Sequence, residues 1–139
     1  MISRTPEILI IDSELSEIQK VESFLKDKFA ECDLPAKYFN KVLLCVSEAV
    51  VNAIKHGNKS NLHKKVSISV WCTDKEVQIQ VEDEGEGFDI VNVEDPTIKE
   101  NIRKESGRGI YIIKKLTDTL EYNKKGNKVK FKLICSEPH

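Results

Sequence analysis

Apolar residues recur along the chain in two rhythms. The apolar run Ile8-Leu9-Ile10-Ile11 predicts a short strand over 7–11. Over 13–32, Leu15, Ile18, Val21, Leu25 and Phe29 keep helical spacing, with Asp12 or Ser13 placed to cap the helix. The sequence Asp33-Leu34-Pro35 breaks it, and Pro35 suits an early position of a second helix that runs to about Lys55 and closes at Gly57. That helix carries Phe39, Val42, Leu43, Val46, Ala49, Val50, Ala53 and Ile54, a broad face that predicts deep packing. The rhythm then shortens to two. Val66, Ile68 and Val70 share one strand face, Val77, Ile79 and Val81 the next, and Thr73-Asp74-Lys75 joins them as a hairpin. A glycine-rich turn at 83–87 leads into a polar stretch over 89–106. A third helix begins near Gly109, with Ile110, Ile113 and Leu116 in period. Strands over 119–123 and 129–135 close the chain around a turn at 124–127. The order β-α-α-β-β-loop-α-β-β predicts an α+β fold. Its form is a two-layer sandwich, a mostly antiparallel mixed sheet with helices on one face.

Composition narrows the class. The 139 residues fit one domain, 1–139. Hydrophobic and charged fractions of 40% and 32% argue against disorder and membrane spans. With 22 Lys and Arg against 23 Asp and Glu, no bulk field draws the chain to nucleic acid or anionic lipid. The N-terminus has no apolar core of signal-peptide length, so a cytoplasmic location is expected. Cys32, Cys45, Cys72 and Cys135 show no C-x-x-C spacing and read as buried, reduced thiols. His56, His63 and His139 form no metal-ligand spacing.

Three polar features interrupt the apolar pattern. On the second helix, Glu48, Asn52 and His56 stand four residues apart, a polar row beside the apolar face. Asn is a poor helix former, so its mid-helix position invites a reason. Next, Asp83-Glu84-Gly85-Glu86-Gly87 follows a strand. Its glycines allow close backbone approach, and its Asp can accept a hydrogen bond from an exocyclic amine. Last, Ser106-Gly107-Arg108-Gly109-Ile110 opens a helix, whose free N–H groups and positive dipole end favour an anion such as phosphate. A long polar loop before such a helix suits a lid. The chain holds no G-x-x-x-x-G-K-[ST] run and no G-x-S-x-G elbow.

The succession E-x-x-x-N-x-x-x-H-G, D-x-G-x-G and G-x-G resembles the three boxes of the GHKL ATPase superfamily, whose Bergerat sandwich the element order matches. The resemblance spans nearly the whole chain. Within that superfamily the sequence S-E-A-V-V-N-A-I-K-H-G over 47–57 is similar to the first box of the bacterial anti-sigma-factor serine/threonine kinases.

The resemblance implies roles for named residues. Glu48 would be the general base for a hydroxyl attacking the γ-phosphate of ATP, and Asn52 a Mg²⁺ ligand. Asp83 would bind the adenine amino group, with Gly85 and Gly87 admitting the base. Ser106, Gly107, Arg108, Gly109 and Ile110 would form the hinge and phosphate cradle of an ATP lid over about 89–106, with Lys55 and His56 near the phosphates. Two positions depart from the group's pattern. Glu105 stands where a basic residue commonly precedes Ser-Gly, leaving Arg103, Lys104 and Arg108 as candidates for the γ-phosphate. Asn127-Lys128 follows Gly126 where Thr is frequent. The implied function is an ATP- and Mg-dependent kinase acting as an anti-sigma factor in a partner-switching circuit. Its partners would be a sigma factor and an antagonist protein phosphorylated on Ser or Thr. Dimers are common in the group, so a homodimer is possible, while the balanced charge leads us to expect no direct nucleic-acid or membrane partner. The alternative is a nucleotide-gated binding module that sequesters a regulator without kinase activity. The basic hairpin residues Lys124, Lys125, Lys128, Lys130 and Lys132 read as a solvated, aggregation-resistant edge.

Overall fold

A computed structural model describes residues 6–85 and 107–136. Strand β1 (Glu7–Asp12) leads through a 3-10 turn into α1 (Ile18–Cys32). A second 3-10 turn leads into α2 (Phe39–Asn52), which continues as a π-helical turn, Ala53–Gly57. Strands β2 (Lys65–Cys72) and β3 (Glu76–Asp83) follow, then α3 (Gly107–Leu116), β4 (Thr119–Tyr122) and β5 (Lys128–Ile134). The five strands form one sheet in the order β1-β2-β3-β5-β4, and each of the four pairings is antiparallel. The α+β sandwich expected from the sequence is the observed architecture, with a sheet antiparallel throughout the described residues.

Alternation decides which sheet face is dry. In β3, Val77, Ile79, Val81 and Asp83 are buried while Glu76, Gln78, Gln80 and Glu82 are half-buried on the other face. The register pairs Ile68 with Val81 and Ile79 with Phe131, so one apolar layer runs across β2, β3 and β5. Val21, Leu25 and Phe29 of α1 and Val42, Val46, Ala49 and Val50 of α2 bury themselves in that same core, with Ile113 of α3. Each large aliphatic side chain so buried contributes about 1.5–3 kcal/mol. On the opposite face the Lys130 ammonium lies 5.5 Å from the centre of the Trp71 ring. The basic strand is not an edge: β5 lies between β3 and β4, and its Lys128 and Lys132 pair with Glu82 and Glu76 across the ladder.

Helix ends depart from the expected caps. The turn before α1 has no side-chain cap. Asp12 instead pairs with Lys65, and the Ser13 hydroxyl donates to the Lys64 carbonyl at 2.6 Å. Both side chains are drawn off by Lys64 and Lys65, where the chain enters β2, more than fifty residues away in sequence. At its other end α1 stops at Asp33, which adopts a left-handed conformation (φ 59°) and donates its N–H back into the last turn.

Cys32 and Cys72 form a disulfide, correcting the expectation of four reduced thiols. The last residue of α1 packs on the last residue of β2, with Cα atoms 6.1 Å apart. A 40-residue separation carries no sequence signature of that meeting. Cys45 and Cys135 are free and buried, as expected, and burial pushes each thiol up to about 11.

Candidate functional site

The π-helical turn gives the polar row of α2 its shape. The Asn58 N–H donates to the Ala53 carbonyl at 2.8 Å, the i→i+5 bond of a π turn. Glu48 and Asn52 share a face one α-helical turn apart. Gly57, the last residue of this turn, lies against the end of β3. π bulges of this kind recur at functional sites.

Gly57 meets Asp83, the last residue of β3. A Cβ at Gly57 would lie closer than 3.0 Å to the Asp83 carboxylate, and one at Gly85 would strike the Gly57 carbonyl oxygen. Only glycine permits these two approaches. The Asp83 side chain is buried, 8% exposed, and its Oδ1 accepts the Gly85 N–H at 2.8 Å. Burial raises its carboxyl above the ordinary range, and Glu82 adds to this. The Gly85 N–H, Lys125 and Lys64 act in the opposite sense.

The hairpin between β4 and β5 closes the other side. Asn123 Oδ1 accepts N–H bonds from Gly126, Asn127 and Lys128, at 2.8, 3.1 and 3.2 Å, and Gly126 sits at φ 82°. The turn so held aims Asn127 at β3. Its Nδ2 donates to the Asp83 carbonyl at 3.0 Å, and its own carbonyl accepts the Asp83 N–H at 2.9 Å.

These segments enclose a pocket whose lining includes Asn52, Gly57, Asp83, Tyr122, Gly126 and Asn127. Burial pushes the Tyr122 hydroxyl up to about 12. The enclosed space is about 30 Å³, against roughly 300–1,000 Å³ for a small-molecule site. The space among the described residues is thus smaller than a nucleotide requires. Within it Asn52 Nδ2 is buried with no hydrogen-bond partner among the described residues. A buried donor is normally matched, and this one faces the pocket with its hydrogen-bonding capacity unused by the described residues. No group of three or more His, Cys, Asp or Glu side chains that could hold a metal ion occurs among the described residues. Mg²⁺ bound through one or two protein oxygens and substrate phosphates needs no such cluster. The donor set fits that mode, with the Asn52 amide supplying the oxygen.

The predicted residues divide accordingly. Asn52, Asp83 and Gly85 meet around the π turn and the end of β3. Glu48 is half-buried on α2, one turn before Asn52, outside the lining of the closed pocket. Lys55 is exposed and His56 half-buried. Gly107, Arg108, Gly109 and Ile110 form the first turn of α3, two residues earlier than the expected start. Gly87, Ser106 and the lid lie outside the described residues. Sequence reasoning missed Asn58, Tyr122, Asn123 and Asn127 as site-builders. Asn127 alone had a signal, as a departure from a family pattern.

The fold and this pocket define an ATPase-type α+β sandwich. The chain belongs to the histidine kinase-like ATPase domain family, whose profile matches residues 11–133. It is similar to an anti-sigma F factor of Oceanobacillus iheyensis, 40% identical over 79 residues, 55% of this chain and 53% of that protein. It is 34% identical to the anti-sigma F factor of Bacillus subtilis over 112 residues, 76% of each chain. The serine-protein kinase RsbW of Oceanobacillus iheyensis is 29% identical over 86 residues, 58% of this chain and 54% of that protein. The match spans about half the length of both Oceanobacillus relatives. Among solved structures, the RsbU and RsbW domains of Rv1364c from Mycobacterium tuberculosis share the fold, with a TM-score of 0.62 at 16% identity. That alignment covers 93% of this chain and 31% of that one.

Proposed function

We propose that this chain is an ATP-binding serine/threonine protein kinase of the anti-sigma type. It would hold a sigma factor and phosphorylate a Ser or Thr of an antagonist protein. The observation that carries the reading is the pairing of a buried Asp83 carboxylate with the unmatched Asn52 amide in one pocket. The names of the relatives supply the partner class.

In this reading Asp83 accepts a hydrogen bond from the adenine amine, and Gly85 and Gly87 admit the ring. Asn52 offers its amide oxygen to Mg²⁺, which when bound offsets phosphate charge. Glu48 takes the proton of the antagonist's hydroxyl as that oxygen bonds to the γ-phosphorus and the bond to the ADP oxygen breaks. The N-terminal turn of α3, with Ser106, Gly107, Arg108, Gly109 and Ile110, receives the phosphates. Lys55 and His56 lie on the turn after Asn52 and stand near the phosphates. The whole of 1–139 acts as one domain with its lid over about 89–106, as a homodimer in the cytoplasm. Among the described residues no helix is long and apolar enough to cross a membrane.

The test is phosphotransfer from labelled Mg-ATP to a candidate antagonist protein that bears an acceptor Ser or Thr. Wild type should transfer, and Glu48→Ala should lose about 100-fold or more while still binding nucleotide. Nucleotide binding with no transfer by wild type would move the reading to a nucleotide-gated binding module. Absence of nucleotide binding would overturn both.

A further inference from the structure

Asn58 follows the π turn and is 1% exposed. Its Nδ2 donates to the Ser13 hydroxyl at 2.8 Å and to the Lys65 carbonyl at 2.9 Å. Its Oδ1 accepts the Glu84 N–H at 2.8 Å. Both amide hydrogens are therefore used. Ser13 is itself buried, 2% exposed, and its hydroxyl donates a hydrogen bond to the Lys64 carbonyl. One side chain thus ties the end of β1 and the start of β2 to the turn that follows Asp83.

The opposite flank of that turn is held by Asn127, which engages both backbone groups of Asp83. Between Asn58 at residue 84 and Asn127 at residue 83 the peptide is gripped from two sides. The Gly85 N–H then fixes Oδ1 of the carboxylate. A buried hydrogen-bonded network of this kind holds one geometry, and removing a member leaves a buried donor or acceptor unmatched.

We propose that Asn58 is a positioning residue that sets the direction of the Asp83 carboxylate and so the choice of base. A fixed carboxylate rewards a ring bearing an amine at that point and repels one bearing a carbonyl oxygen, as adenine and guanine do. Ser13 supports Asn58 from the far side, coupling the end of β1 to the pocket. The inference rests on the ATP reading above.

Calorimetric titration of the full chain with Mg-ADP and Mg-GDP tests it. Wild type should favour ADP by about 100-fold or more. Asn58→Ala should weaken ADP about 10-fold and leave GDP nearly unchanged, so that the ratio collapses. Ser13→Ala should lower the ratio about 3-fold. Hydrogen exchange at the Glu84 amide, protected in wild type, should accelerate in Asn58→Ala. A purely structural role would weaken both nucleotides alike. An ADP/GDP ratio in Asn58→Ala equal to that of wild type overturns the assignment and leaves the ATP reading standing. Wild type that binds neither nucleotide overturns both. If Asn58→Ala does not fold, Ser13→Ala decides by the same ratio, an unchanged value overturning the proposal.

Discussion

The α-carbon of Gly57, at the end of the π turn, lies directly against the carboxylate of Asp83, at the end of β3. The contact joins helix layer to sheet layer at the mouth of the core. It gives the histidine-glycine pair of the first motif a steric reason: the glycine makes room for the carboxylate.

Gly57→Ala should therefore act at a distance from any phosphate. The added methyl must displace Asp83 or the π turn, at a cost of about 1–3 kcal/mol. Nucleotide affinity should fall about 10-fold or more. Thermal unfolding with and without Mg-ADP reads both effects. A variant with wild-type affinity would show that Asp83 is not held by this contact.

Asp83 also predicts a pH signature. Its carboxyl is raised in the folded chain, chiefly by burial, above the ordinary aspartate value of 3.8. The folded state thus binds this proton more tightly than the unfolded chain does. The group's contribution to stability is lost as pH rises through the raised value and is recovered as pH falls toward 3.8. Asp83→Asn keeps an oxygen for the Gly85 N–H and removes the buried charge. The unliganded variant should melt above wild type at neutral pH, with the gap narrowing on acidification, while ADP binding falls about 30-fold or more. Calorimetric scans from neutral pH downward measure the gap, and one that widens on acidification would contradict the assignment.

The Cys32–Cys72 bridge spans a sequence separation of 40 residues, which corresponds to about 4 kcal/mol in the chain-entropy account. Reductant should lower Tm by on the order of 10 °C, and Cys72→Ser should melt low with or without it. Alkylation of the denatured, unreduced protein should label Cys45 and Cys135 but spare Cys32 and Cys72. Labelling at all four would show that the isolated protein is reduced.

Lys28 offers a separate check on the packing of α1. Its ammonium is buried, 4% exposed, and is paired with Glu7 and Glu31, whose side chains are about half exposed. Its burial opposes the charge, but hydrogen bonds and attraction from Glu31 and Glu7 outweigh it, so its pKa is raised. Removing both partners by Glu7→Gln and Glu31→Gln should cost about 3 kcal/mol, because a buried charge is left alone. Lys28→Met should be neutral or stabilising. Urea unfolding distinguishes the two, and equal destabilisation by both would contradict this account.

Periodicity marked the helices and strands of the described residues, because a helix or strand must place its apolar residues on one face whatever its neighbours are. Val77, Ile79 and Val81 announce a half-buried strand without any knowledge of what covers them. The motifs at Glu48, Asn52, Asp83 and Gly85 were equally visible, since ligand chemistry constrains residue type and local spacing. Tertiary structure decided what depends on two distant segments meeting. It turned Ser13 from a helix cap into a partner of Asn58 and Lys64, paired Cys32 with Cys72, and placed β5 inside the sheet. It brought Asn58 and Asn127 to either side of the Asp83 turn. Short polar side chains have no preferred partner in sequence. Their hydrogen bonds are chosen by whichever buried donor or acceptor the packed layers leave unmatched.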